Sequence, residues 1–389
     1  MKKICVITTS RADYGLLYHL IQQIYSSSRL ELQLIVSGSH LSSQHGMTVS
    51  QIREDGFLID AEVPIIQDTD TVLDISRAFS LGVTGFAQAY ERLSPDIVLL
   101  LGDRYEILAA AISATIANIP IIHLHGGEVT EGAYDDAFRH SITKMAAVHF
   151  VAAQPYMDRV IQLGENPKDV HCVGGLGVDS LKKISLLNKK QLAKELNIEL
   201  KEKLLLVTFH PVTLEKSQNQ GQITALLSAL CYIAEDKNYD STIIFTMPNA
   251  DTEGSNLAVQ IQAFVQKYKN AHFFASLGQQ KYYSCLNHFD IVIGNSSSGL
   301  LEAPSFKIPT INIGSRQEGR LKAKSVIDCE PSTNEILNAI NLSLSKGFRH
   351  QIKDTKNPYG EGGATDKIMK ILETIDITEI QNKKFYDIT

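Results

Sequence analysis

Residues 290–302 read DIVIGNSSSGLLE, from Asp290 to Glu302. The apolar run Ile291–Ile293 breaks at Gly294 into Asn295-Ser296-Ser297-Ser298-Gly299, and an apolar segment of helical spacing follows. That order predicts a buried strand, a tight turn and a helix start with three hydroxyls at its mouth. Helix N-termini leave free N–H groups and carry partial positive charge, which suits a phosphate. Ser and Asn are also ordinary helix caps, so the stretch alone leaves both readings open.

The same grammar recurs outward in both directions. Lys3–Thr8 reads as a strand, Gly15–Tyr25 as a helix and Leu32–Val36 as the next strand. Ile97–Leu101, Pro120–Leu124, Val148–Val151 and Val170–Val173 continue the series. Continuous apolar runs indicate strands covered on both faces, hence a parallel sheet between helix layers. The series pauses in the polar, lysine-rich stretch Lys182–Lys203. It then resumes with Leu204–Thr208, Thr242–Thr246, His272–Ala275, Ile291–Ile293, Thr310–Ile313 and Ser325–Asp328. The expected architecture is α/β, with two doubly wound Rossmann-like parallel-sheet domains over residues 1–180 and 200–363. A helical segment, 364–389, is expected to pack back on the first.

Composition narrows the function classes. The net charge of −6 and the scattered Lys and Arg leave no basic footprint for nucleic acid. Five cysteines, odd in number and without CxxC spacing, point to reduced thiols in a cytoplasm. The start, MKKICVITTSRAD, has an apolar run too short for a signal peptide, and it meets Arg11 and Asp13. No apolar stretch approaches membrane-spanning length. A soluble, cytoplasmic protein is expected.

In doubly wound sheets ligands bind at the carboxyl ends of strands, and two facing domains make a cleft. Those ends carry Ser10-Arg11-Ala12-Asp13, Gly102-Asp103-Arg104-Tyr105-Glu106 and His123-Leu124-His125-Gly126-Gly127-Glu128 in the first half. In the second they carry Phe209-His210-Pro211, Pro248-Asn249-Ala250-Asp251, the Asn-Ser-Ser-Ser turn and Gly314-Ser315-Arg316-Gln317. A plain fold needs only Gly, Asn or Pro there, so this density favours a polar site. No GxxxxGK[ST] appears, and no GxGxxG follows the first strand. His123, His125 and Glu128 are not read as a metal site, because the two histidines, at i and i+2 near a strand end, are expected to point to opposite faces. What remains is arginines and hydroxyls for phosphates, with Arg11, Arg104 and Arg316 able to clamp a diphosphate. Asp103, Glu128, Asp135, Asp136 and His210 supply acids and bases.

RADYG, LGDRYE, HGGE followed by YDDAFRHSITK, FHPVT, GNSSSGLLEAP and INIGSRQEGR occur together and in this order. Across essentially the whole chain the set resembles the hydrolysing UDP-N-acetylglucosamine 2-epimerases of sialic-acid biosynthesis, of the bacterial NeuC type. The resemblance implies a GT-B-like fold with an interdomain active-site cleft, no cofactor or metal, and a homodimer or homotetramer. It also implies the conversion of UDP-N-acetylglucosamine and water into N-acetylmannosamine and UDP. The course is anti elimination of UDP to 2-acetamidoglucal, followed by hydration. By the same resemblance Arg11, Arg104, His210, Asn249, Ser296, Ser297, Glu302 and Arg316 hold UDP, with Glu302 on the ribose. Asp103, Glu128, Asp136 and His210 serve proton transfer, Asp136 being favoured from its frame relative to Arg139-His140.

Two departures bear on the sugar. His125 stands where many relatives carry a carboxylate that takes part in proton transfer, and since a histidine can do general acid–base work near neutral pH it joins the catalytic candidates; the loop before Asp136 is one residue longer. The same reaction on UDP-2,4-diacetamido-2,4,6-trideoxyglucose, from legionaminic-type pathways, is therefore the nearest rival. A non-hydrolysing 2-epimerase, a GT-B glycosyltransferase and a non-catalytic nucleotide-sugar sensor are the alternatives from other classes.

Overall fold

The structure, a computed structural model, describes residues 1–42, 47–65, 71–130, 134–211, 219–236, 239–247 and 254–388. The chain divides into two units: Met1–Ser180 with Gly362–Thr389, and Leu181–Glu361.

The first unit holds seven strands: β1 (Lys2–Thr8), β2 (Leu30–Ser37), β3 (Ala61–Val63), β4 (Ile97–Leu101), β5 (Ile121–Leu124), β6 (Val148–Val151) and β7 (Val170–Cys172). They pair in parallel in the order β3-β2-β1-β4-β5-β6-β7. In β1, Ile4 and Val6 enter one core and Cys5 and Ile7 the other, all fully buried. A strand's alternate side chains point to opposite faces, so both sets are apolar because helices cover both. Helix Arg11–Ser26 lays Leu17, Leu20, Ile21 and Ile24 on the first face. Helix Ala364–Thr374 adds Ala364, Ile368, Met369 and Leu372 to that same core.

Several contacts tie the late helix down. The Lys2 ammonium donates to the carbonyls of Leu372, Glu373 and Ile375 at 3.2, 3.2 and 2.5 Å. The Asp179 carboxylate accepts from the N–H groups of Ala364 and Thr365, satisfying two orphan donors of that helix.

The second unit repeats the plan with β8 (Lys203–Thr208), β9 (Ser241–Thr246), β10 (Ala271–Phe274), β11 (Ile291–Gly294), β12 (Thr310–Ile313) and β13 (Val326–Cys329). These also run parallel, in the order β10-β9-β8-β11-β12-β13. Leu205 and Val207 face one core, Leu204 and Leu206 the other.

Three local readings differ from the sequence expectation. Strand β3 was not anticipated: it is three residues long and stops at Pro64, which cannot donate to a ladder. The lysine-rich stretch is not a plain connector. It contains helix Lys189–Leu196, capped by Asn188, with Leu192 and Leu196 buried in the second unit's core. The helix after the serine turn is one turn long, Ser298–Leu301, and continues as a 3-10 turn over Ala303–Phe306. Pro304 explains that brevity, since it removes an N–H and disfavours helical backbone at Ala303.

Candidate active site

The ligand crevice of a doubly wound sheet lies where strand order reverses. That point falls between β1 and β4 in the first unit and between β8 and β11 in the second.

In the first unit, Ser10 caps helix Arg11–Ser26 and the Asp13 carboxylate answers with a bond to the Ser10 N–H. That carboxylate also accepts from the Thr9 N–H and hydroxyl, at 3.0 and 2.8 Å, and from the Thr8 hydroxyl. Burial opposes its charge, yet His40 and these donors hold it below the usual carboxylate range. With Asp13 turned inward, Arg11 stands exposed on the helix's first residue. At the end of β4, Arg104 pairs with the buried carboxylate of Glu106 at 3.2 Å while its own side chain stays 56% exposed.

At the end of β5 the two histidines take different partners. His123 sits between the Thr143 hydroxyl at 3.1 Å and the Gly102 carbonyl at 2.8 Å. Burial lowers its pKa to about 3, so it is neutral at physiological pH. The expected reason for their divergence needs correcting, because i and i+2 share a face along a strand. What separates them is that the strand ends at Leu124 and His125 adopts φ +62°. His125 Nδ1 then lies 3.0 Å from Glu128 Oε1. Among the described residues, no group of three His, Cys, Asp or Glu side chains is arranged to hold a metal ion.

Helix Asp135–Met145 supplies the residue that organises this cluster, and sequence reasoning missed it. Arg139 is 4% exposed. Its guanidinium pairs with Asp103, donates to the Glu128 carbonyl at 2.9 Å and the Thr130 hydroxyl at 3.0 Å, and meets Asp136 Oδ1 at 3.4 Å. Asp136 also accepts from the Thr130 N–H at 2.8 Å and pairs with His140 at 3.4 Å. Asp136 is thus held on several sides. The neighbouring Asp135 differs: burial raises its carboxyl pKa and the charge of Asp103 adds to the rise. The only sequence signal for Arg139 was its register, one helical turn after Asp135 on the same face.

In the second unit, Asn295 is buried between two strand ends. Its Oδ1 accepts from the His210 N–H at 2.7 Å and its Nδ2 donates to the His210 carbonyl at 2.9 Å. Its own carbonyl accepts from Arg316 at 3.0 Å and Gln317 at 2.8 Å. One turn residue therefore sets both His210 and Arg316. Burial, aided by the charge of Arg316, lowers the His210 pKa to about 3.

Gly294 makes the close approach possible. A Cβ there would lie 1.9 Å from the Thr208 carbonyl oxygen, at φ +137°. Ser296 and Ser297 are half-buried at the turn, and Ser298 accepts from Tyr282 at 2.8 Å. The Glu302 carboxyl has a raised pKa because it is buried, and its Oε2 has no partner among the described residues. The helix dipole expected to favour an anion here is reduced to one turn, so hydroxyls and Arg316 carry the case for one. Asn249 lies outside the described residues.

A family profile described as UDP-N-acetylglucosamine 2-epimerase matches residues 22–373. A GDP/UDP-N,N'-diacetylbacillosamine 2-epimerase (hydrolyzing) from Campylobacter jejuni is 40% identical over 389 residues, all of this chain and 99% of that one. Polysialic acid biosynthesis protein P7 from Escherichia coli is 37% identical, over 100% of this chain and 98% of its own. Among solved structures, a UDP-GlcNAc 2-epimerase from Neisseria meningitidis bound to UDP-GlcNAc superposes with a TM-score of 0.80. It covers 96% of this chain and 99% of its own at 18% identity, a likeness of fold.

Proposed function

The chain belongs to the UDP-N-acetylglucosamine 2-epimerase family and is a hydrolysing nucleotide-sugar 2-epimerase, and from that premise we propose that its substrate is UDP-N,N'-diacetylbacillosamine. The observation that carries this choice of sugar is the 40% identity, along the full chain, with a hydrolysing 2-epimerase of that sugar. UDP-N-acetylglucosamine is the second reading, favoured by the family description and by the 37% identity with a polysialic-acid protein.

The residue inventory supports a division of labour. Arg316, Ser296, Ser297 and His210 are assigned to the UDP diphosphate and Glu302 to the ribose, with Arg11, Arg104 and Asn249 contributing to the nucleotide. A departing diphosphate develops charge, which arginines and hydroxyls stabilise. Proton transfer at the sugar is assigned to Asp103, Glu128, His125 and one aspartate of the Asp135-Asp136 pair. Asp135 is the better acid, because its carboxyl is less bound and easier to keep protonated, whereas Asp136 serves as an anchor. The reading carries with it a homodimer or homotetramer working in the cytoplasm without a cofactor.

The test is incubation of the full chain in deuterated water with each UDP-sugar and with the GDP-linked diacetamido sugar, followed by proton NMR. The expected products are UDP and the free 2-epimeric diacetamido sugar, deuterated at carbon 2. A higher kcat/KM for UDP-N-acetylglucosamine would transfer the assignment to the second reading. Asp135→Asn should lose turnover while keeping its melting temperature. Asp136→Asn should lose stability as well, and the reverse pattern would return the acid role to Asp136.

A further inference from the structure

We propose that His125 Nε2 is the base that removes the carbon-2 proton, with Glu128 as the positioning residue that fixes its tautomer. The assignment rests on the hydrolysing-epimerase reading above and deepens it.

The geometry is that of an oriented base. An ionised carboxylate only accepts, so the 3.0 Å contact to Glu128 Oε1 puts the ring proton on Nδ1 and leaves the lone pair on Nε2. That Nε2 is buried and has no hydrogen-bond partner among the described residues, while the ring as a whole keeps 16% exposure through which a ligand can reach it. A buried polar atom without a partner is costly, and a folded protein keeps one where a ligand completes it. The backbone is set for this placement. His125 holds φ +62°, and its N–H donates to the Phe150 carbonyl of β6 at 2.9 Å. Two residues on, a Cβ at Gly127 would lie 2.4 Å from the Tyr156 carbonyl, so the loop has little room to shift.

Asp103 and Asp136 are held by Arg139, and both ring nitrogens of His123 are bonded. Among the described residues, two other histidines leave a buried nitrogen unpartnered, His140 and His149. One lies inside a helix and the other near the start of β6, away from strand carboxyl ends.

In the first half-reaction Nε2 takes the proton from carbon 2 and the C–H electron pair becomes the C1=C2 π bond. The C1–O bond breaks, its pair leaving on the β-phosphate oxygen of UDP. The imidazolium formed is stabilised by Glu128 and returns its proton to solvent before the next turnover. In the second half-reaction a separate acid protonates carbon 2 from the opposite face. Water adds its hydroxyl to carbon 1 and gives its proton to that acid's conjugate base.

The test uses the full chain with both UDP-sugars, measuring UDP release, UDP affinity by calorimetry and the pH dependence of kcat. His125→Gln should lower kcat by about 10³-fold, within the range for removing a general base, with UDP affinity within threefold. Glu128→Gln should lower kcat by about 10–100-fold, and Glu128→Asp should restore part of that loss with KM within threefold. In the unmodified chain, ¹⁵N-histidine NMR should show the neutral His125 ring protonated at Nδ1 and bare at Nε2. The opposite tautomer overturns the assignment, whether or not the variants fold. UDP release by His125→Gln at more than a tenth of the unmodified rate overturns it while leaving the epimerase reading intact. No UDP release by the unmodified chain from either sugar overturns both.

Discussion

Replacing Arg139 by Met removes one guanidinium that four groups share. Asp103 loses that ion pair, the Glu128 carbonyl and Thr130 hydroxyl lose that donor, and Asp136 keeps the Thr130 N–H and His140. Breaking a buried ion pair on one side costs about 3–5 kcal/mol. The Asp103 side chain is 21% exposed, so water recovers part of its charge and the lower end applies. About 3 kcal/mol corresponds to roughly 6–12 °C in a unit of 150–250 residues. Turnover should fall further than stability implies, because displacing a positioned group by about 1 Å can cost 10²-fold. Arg139→Lys keeps the charge but not the planar fork that reaches several acceptors. It should regain some of the melting temperature and little of kcat. Differential scanning calorimetry and UDP-release kinetics on both variants provide the check. An Arg139→Met chain melting within 2 °C of the unmodified one, with kcat within threefold, would refute the hub.

Three further outcomes follow from the geometry. Because His123 titrates near 3 in the folded chain against 6.5 for a free histidine, the unfolded chain binds more protons between those values. The stability from neutral His123 is therefore whole above pH 6.5 and is lost as pH falls toward 3. It is reduced by roughly 2 kcal/mol at pH 5, and urea melts at pH 7 and 5 on the unmodified chain and on His123→Asn measure it. Gly294→Ala should cost about 3 kcal/mol or more and abolish UDP binding, since the added carbon meets the Thr208 backbone rather than a mobile side chain; unchanged UDP calorimetry would contradict this. Asn295→Ala leaves the buried His210 N–H and carbonyl without their partner, at about 1–3 kcal/mol each. UDP affinity should drop about tenfold, and a loss of stability without any loss of affinity would show that Asn295 does not position the nucleotide residues.

How much of this was legible in the chain depends on the range over which each signal acts. Ile4 to Ile7 and Leu204 to Val207 announce doubly covered strands, because burial on both faces leaves no polar position in the run. The two parallel sheets follow from such runs alone. Ala61-Glu62-Val63 escaped, since three residues at an edge carry too short a pattern to separate from a loop. The helix start at the serine turn was legible, but its length is set by Pro304, which cuts it to one turn. The chemistry-bearing residues at the strand ends were legible as types, but their division into holders and held was not. Arg139 reads as an ordinary surface arginine until the fold buries it among Asp103, Glu128 and Thr130. His125 and His123 look like a pair in the sequence, and one backbone angle at His125 gives them separate surroundings.

The return of residues from 364 onward to the first unit sets an order of manufacture. On the ribosome the strands of the first sheet emerge before the second unit, but the helix that covers Leu17, Leu20 and Ile24 is made only after it. Roughly 180 residues of the second unit come between them, a delay of roughly 10–40 s at typical rates of bacterial and eukaryotic synthesis. Throughout that interval the nascent first unit presents an apolar groove where Ile368, Met369 and Leu372 will lie, and Lys2 waits for carbonyls not yet synthesised. Of the two units, the one that comes second in the sequence is thus the first to have its whole chain, and the one that starts before it is completed after it.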